Sequence, residues 1–182
     1  MMSIVRFLLP ILLPITLVAL FVEAQQPDTE MATAKMVGAS NVAPVFFDPG
    51  AKVLTATEKA EMQAFVTTIR ETQEIKSIKV LAWGDREYPD KKEKKASPKQ
   101  IELAKARAEA IKKYLQEDLK VPSVDIHNMA ERPSKLSEFF KTDDYEVKSS
   151  AEATGAAPTQ NKRGFFEEMG RSTTALMLVV VE

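Results

Sequence analysis

Cysteine is absent from the 182-residue chain, and histidine and tryptophan occur once each, as His127 and Trp83. Without cysteine there is no disulfide framework and no thiol to carry a lipid anchor, so the chain must fold on its apolar core alone. A single histidine, with no cluster of histidine or carboxylate at ligand spacing, leaves nothing to hold zinc, and no metal or cofactor is expected. No Ser-His-Asp set, glycine-rich phosphate loop or defensible carboxylate pair can be assembled, which argues against an envelope hydrolase and against an enzyme generally. Charge of one sign is lacking too. At a formal net charge of −1, no global field draws the chain to nucleic acid or anionic lipid, so a partner must be recognised by local groups and nucleic acid is not expected.

An uninterrupted membrane-length run is also missing. The apolar stretch from Phe7 to Val22 is broken by Pro10 and Pro14 and falls short of the ~20 residues that cross a hydrocarbon core. Preceded by Arg6 and followed by the small-residue exit Val22-Glu23-Ala24, it has the layout of a secretory signal, with cleavage expected after Ala24. Left uncleaved, it would be an amphipathic or anchoring helix, and the only route to a membrane. Residues 1–24 are therefore read as a signal peptide and 25–40 as a flexible polar segment. The rest, 41–182, is long enough for one domain with a buried core.

What is present alternates. Asn41 to Asp48 reads as a short strand stopped by Pro49-Gly50. Thr55 and Glu58 form a capping box, and Met62, Phe65, Val66 and Ile69 recur at helical spacing to about Glu74. Ile78 to Trp83 is a second strand, expected to follow the first by a right-handed parallel crossover. Ser97-Pro98-Lys99-Gln100 gives an N-cap, a proline at the first helical position and a capping-box glutamine, opening a helix to about Asp118. Val124 to Met129 is a third strand. Ala175 to Val181, continuously apolar, is expected to be a central strand buried on both faces. Between them, Arg132 to Arg171 reads as a mobile loop between two small apolar latches, a helical turn or two at Leu136, Phe139 and Phe140 and another at Phe165, Phe166 and Met169; the four phenylalanines are expected to bury beneath the loop, with capping of a partner surface as the alternative. The order is βαβαβ, an insertion at 133–170, then β.

Two charged residues stand out. Asp85 ends the second strand after Gly84, and Arg107 lies on the following helix at the border of the buried stripe, between Leu103 and Ile111. An aspartate at a strand end can face an ammonium group, while a guanidinium fork fits a carboxylate with two parallel hydrogen bonds. A zwitterionic amino-acid end needs both. A purely structural Asp85–Arg107 ion pair is the plainer alternative. Trp83 is expected to pack beside the site rather than bind sugar. The lysine-rich run Asp90 to Lys95 reads first as a solvated surface, with contact to an anionic polymer as the sharper alternative.

Ala82-Trp83-Gly84-Asp85 and Leu103-Ala104-Lys105-Ala106-Arg107-Ala108 resemble two motifs of the OmpA-like peptidoglycan-binding domains, a strand ending Gly-His-Thr-Asp and a helix carrying Leu-Ser-x-x-Arg-Ala. Phe46-Phe47-Asp48 and Leu54-Thr55-x-x-Glu58 are similar to the family's opening strand and first helix start. The resemblance spans most of Val42 to Met129 and, more loosely, Gly170 to Glu182. Gly84, Gln100 and Ala104 depart from it, standing where the family usually has Thr, Asn and Ser, and Gly170-Arg171-Ser172-Thr173 only partly matches its closing Asn-Arg-Arg-Val.

The resemblance implies an α+β sandwich, a mixed sheet of about four strands with two long helices on one face. It further implies a non-catalytic, cofactor-free module of the periplasm or outer membrane that binds peptidoglycan. Asp85 would accept the ammonium of a diaminopimelate in the stem peptide and Arg107 would clamp its carboxylate, with Asp48, Gly84 and Arg171 at the rim. The alternative is the same fold without its wall ligand, using residues 133–170 to contact envelope proteins.

Overall fold

A computed structural model describes residues 28–86, 88–89, 91–157 and 174–182. Four strands form one mixed sheet: β1 (Asn41–Phe46), β2 (Ile75–Ala82), β3 (Val124–Asn128) and β4 (Thr174–Val181), in the spatial order β1-β4-β2-β3. The last strand is inserted between the first two, antiparallel to both, and β2 and β3 run parallel. The crossover from β1 to β2 thus skips a position that β4 fills. Its apolar run, Ala175 through Val179, is buried because helices cover both faces of the sheet.

One face carries α2 (Ala56–Arg70) and α3 (Pro98–Lys113), the latter continued by a wider π-type turn at Tyr114–Asp118. Val45, Ile78, Val80, Met177 and Val179 point to this side, where Met62, Val66, Ile69, Ala108, Ile111 and Leu115 meet them. Alternation along each strand decides the face, and the 3.6-residue period of each helix supplies the matching stripe. Thr55 caps α2 by accepting the Glu58 N–H at 3.1 Å, while the Glu58 carboxylate accepts the Phe46 N–H at 3.0 Å and ties the helix to the end of β1.

The opposite face is covered by two helices that the sequence reading did not foresee. Residues 28–36, taken as part of a flexible segment, form helix α1 (Asp28–Met36), and the supposed mobile loop contains α5 (Asp143–Thr154) after the short helix α4 (Lys135–Phe139), whose turn Leu136, Phe139 and Phe140 had suggested. Ala34 of α1 and Val147 and Ala151 of α5 pack with Leu81, Leu176 and Leu178, and Thr33 and Thr154 share a hydroxyl–hydroxyl bond of 2.6 Å between the two helices. Their apolar stripes are narrow and made largely of alanine, which gives close helix approach but little periodic signal.

Helix α5 still had legible ends: Thr142 accepts the Tyr145 N–H at 3.4 Å, acids fill the first turn, and Gly155 at φ +87° stops it. Phe139 and Phe140, expected to be buried, are 78% and 69% exposed, and Leu136 beside them 70%, since the five-residue α4 buries no side chain. The other latch, Phe165, Phe166 and Met169, lies outside the described residues, as does the signal-like segment. Among the described residues no helix is long and apolar enough to cross a membrane.

Candidate functional site

Arg107 is fully buried, not at the border of the stripe as the helical wheel suggests. Helix α3 presents it toward the C-terminal end of β2, where two loops close over it. The planar guanidinium has five N–H donors, and each has a partner. Nε donates to the Ala51 carbonyl at 2.9 Å, and Nη1 donates to the Trp83 and Gly84 carbonyls at 3.1 and 2.8 Å. Nη2 donates to the Asp48 carbonyl at 3.2 Å and to Asp85 Oδ1 at 2.7 Å. The Phe47 ring lies 5.0 Å from the guanidinium carbon and supplies a π face. A buried cation is tolerated only with such complete partnering, because an isolated charge in a low-dielectric interior is strongly unfavourable.

Asp85 connects this buried charge to the surface. Its side chain is 26% exposed, and its second oxygen, Oδ2, accepts the Gly50 N–H at 2.8 Å. Gly50 has φ +73°, a conformation that glycine adopts without penalty, and this lets the turn after β1 fold back over Arg107. The Asp85 N–H is held as well, by Gln100 Oε1 at 2.5 Å. Gln100 therefore does not serve as a capping-box residue. Its side chain leaves the start of α3 and crosses the space beside Gly84.

That crossing explains the glycine. A Cβ at position 84 would lie 2.9 Å from the Gln100 carbonyl oxygen and would overlap the Gln100 side-chain amide. The two departures from the motif at 84 and 100 thus occur as a matched pair, the longer amide occupying room that a side chain at 84 would need. Asp48 is exposed and contributes its backbone carbonyl to Arg107, leaving its carboxylate at the rim. Asp48, Gly84, Asp85 and Arg107 are brought together. Arg171 lies outside the described residues. Trp83 is buried in the core with Leu81, Tyr88 and Met129 and presents only its carbonyl to the site.

Sequence reasoning missed the carbonyls of Ala51 and Trp83 and the role of Gln100. Backbone acceptors carry no side-chain signature, but Pro49-Gly50 did mark the turn that delivers Ala51. It also missed a cluster on β3, where buried His127 lies between two acids of α5, with Nδ1 3.2 Å from Asp144 Oδ1 and Nε2 3.3 Å from Asp143 Oδ2. Nε2 is close enough for an ion contact but poorly aligned for a hydrogen bond. Lys148 reaches Asp144 at 3.0 Å, and Lys79 pairs with Asp143. The His127 and Lys79 contacts fasten α5 to the sheet, while the Lys148–Asp144 pair lies within α5. Among the described residues no group of three or more histidine or carboxylate side chains is arranged to hold a metal ion.

The fold and the Asp85–Arg107 arrangement define a small α+β module built round a buried arginine that holds a carboxylate reaching solvent. Comparison with protein families matches residues 46–154 to the OmpA family, and the chain belongs to that family. OmpA-family domains are generally associated with peptidoglycan and are typically non-enzymatic binding modules of the cell envelope. No curated protein matches the chain.

Proposed function

We propose that this domain binds peptidoglycan non-covalently in the periplasm, through the diaminopimelate of the stem peptide, and so anchors or scaffolds the envelope. The observation that carries the reading is a carboxylate held by the Gly50 N–H and by a buried guanidinium, at a residue whose own N–H is held by Gln100, with its outer edge in solvent. A ligand ammonium approaches the free edge of Asp85 and the carboxylate of Asp48, both of which lie at the surface. The ligand carboxylate takes the place of the Asp48 carbonyl on Nη2, the longest of the five bonds at 3.2 Å, as the turn at Gly50 opens. Gly84 and, from the sequence pattern alone, Arg171 complete the rim.

Hydrogen bonds to charged groups contribute roughly 1.5–3 kcal/mol each, so two or three give an affinity of roughly micromolar to millimolar. A polymer with closely repeated stems strengthens such a hold by rebinding. The test is titration of the folded protein with a diaminopimelate-containing tripeptide and its lysine analogue, followed at the Asp85 and Gly50 amides. Selective binding of the first supports the reading, and equal or absent binding of both overturns it.

A second reading is favoured by one observation. Leu136 and Phe139 of α4 and Phe140 just after it form an exposed apolar triad, within the segment proposed to touch envelope proteins, and the two rings stack edge to face at 5.1 Å. A patch of that kind suits a protein partner. Retained partner capture by a protein that no longer binds wall fragments would favour this reading over the first.

A further inference from the structure

A second concavity, of about 680 Å³, opens between the loop after β2 and the start of the insertion, well within the size range of ligand sites. Its framework is held by backbone bonds. The Ala96 N–H donates to the Ala130 carbonyl at 2.7 Å, the Arg132 N–H to the Lys94 carbonyl at 2.8 Å, and Lys95 pairs with Glu131 as an antiparallel bridge. Lys94 has φ +59°, a left-handed conformation that non-glycine residues seldom adopt and that surrounding contacts must enforce.

One wall is a partly buried stack on the buried ring of Tyr88. The Arg132 guanidinium lies 4.8 Å above the ring of Tyr88, its Nε donates to the Pro89 carbonyl at 2.9 Å, and its terminal nitrogens hold both oxygens of Glu152 at 2.8 and 2.6 Å. The hydrogen bond from Arg132 keeps the Glu152 carboxyl below its ordinary range against the opposing effect of burial, and the charges of Arg132 and Lys91 add to this. Burial pushes the Tyr88 hydroxyl far above its usual value, so the ring stays neutral beneath the cation.

Arg132 is thereby neutralised by Glu152, but Lys94, Lys95 and Lys135 line the same space and make no ion pair with a described residue. Five cationic side chains face three carboxylates in the lining, a local positive excess in a chain whose formal net charge is −1. Hydroxyls of Ser134, Ser149 and Tyr145 stand among them. Ammonium groups are point charges that serve phosphate and carboxylate alike, whereas hydroxyls and a half-buried tyrosine ring suit a polyhydroxylated ring more than a bare ion.

We propose that this basin is a second binding site, for a sugar chain that bears phosphate or carboxylate groups. The inference is independent of diaminopimelate binding, because no residue of the Asp85 site lines the basin.

The experiment is calorimetric titration of the full chain at low ionic strength with a phosphorylated disaccharide, a uronic-acid tetrasaccharide and inorganic phosphate. At least one sugar probe is expected to bind, and which one does so distinguishes the two sources of negative charge. The double variant Lys94→Ala/Lys135→Ala should weaken that binding by about tenfold or more, and Lys94→Arg/Lys135→Arg should retain it. Lys105→Ala/Lys113→Ala, which removes two charges from the exposed face of α3, should leave it unchanged. Absence of binding by both sugars at millimolar concentration overturns the proposal. So does equal loss in the α3 variant, which would show that only overall charge matters, and so does binding of inorganic phosphate as tight as that of the sugars.

Discussion

Asp85 Oδ1 accepts a hydrogen bond from Arg107 Nη2 at 2.7 Å, joining a carboxylate that reaches solvent to a guanidinium that is fully buried. The pair is therefore structural and, on our proposal, functional as well. The other four donors of Arg107 hold backbone carbonyls from two separate loops, so the arginine organises the surface on which Asp85 is displayed.

Replacing the two partners should separate these roles. Arg107→Ala takes the guanidinium donors from four carbonyls and from one oxygen of the Asp85 carboxylate and is expected to cost roughly 3–5 kcal/mol, as for breaking a buried ion pair. Asp85→Asn keeps the shape and is partly screened by solvent, so a smaller cost of about 1–3 kcal/mol is expected. Urea unfolding of both variants checks the order. Asp85→Asn is then the variant in which lost binding can be read without loss of the fold.

Gly84 and Gln100 should behave as a coupled pair. Gly84→Ala brings a methyl against the Gln100 amide and carbonyl and is expected to destabilise by about 1–3 kcal/mol through overpacking. Shortening the amide in Gly84→Ala/Gln100→Asn should recover part of that loss. A double-mutant cycle measures the coupling, expected to exceed about 0.5 kcal/mol for side chains in direct contact.

Much of this arrangement was legible in the sequence, and the reasons are specific. Thr55 with Glu58 fixed the start of α2, Ser97-Pro98 the start of α3, and the run from Ala175 to Val181 a strand needing two covered faces. The sequence also singled out Asp85 and Arg107 as a pair. The depth of Arg107 was hidden, because its burial depends on carbonyls brought from Ala51 and Asp48, more than fifty residues away in the chain. The helices on the second face were hidden for another reason. Alanine and threonine pack α1 against α5 closely but do not produce the large apolar periodicity by which a helix is recognised.

Acid should loosen α5 first. Burial alone would raise the Asp144 carboxyl, but the hydrogen bond with His127 and the charge and hydrogen bond of Lys148 outweigh it and hold the group below 3.8. A carboxylate depressed in the folded state contributes stability that is present above its unfolded value and is lost as pH falls through its folded value. Amide exchange in α5 should therefore accelerate below about pH 3.8 before the core strands respond. Asp144→Asn should flatten this dependence.

Glu58 should show the opposite sign. Burial raises its carboxyl above 4.5, with Glu61 adding to the shift and the Phe46 N–H opposing it. Protonation therefore favours the folded state, and the contribution of Glu58 falls as pH rises from 4.5 through the folded value. Unfolding midpoints of Glu58→Gln, compared with the parent across this range, should lack that decline.

The exposed triad at α4 should be dispensable for folding. Leu136→Ser, Phe139→Ser and Phe140→Ser remove side chains that are mostly in solvent, and each should change stability by no more than about 0.5 kcal/mol. Thermal unfolding checks this. Unchanged wall binding in the triple variant would keep the triad separate from the Asp85 site.

The most direct measurement is cosedimentation of the folded protein with insoluble peptidoglycan of the diaminopimelate type and of the lysine type, using the parent chain and Asp85→Asn, each checked for folding by circular dichroism. The parent is expected to pellet with the diaminopimelate wall and much less with the lysine wall, and Asp85→Asn to stay in the supernatant with both. A parent that pellets with neither wall, or an Asp85→Asn variant that pellets as well as the parent, would contradict wall binding at this site.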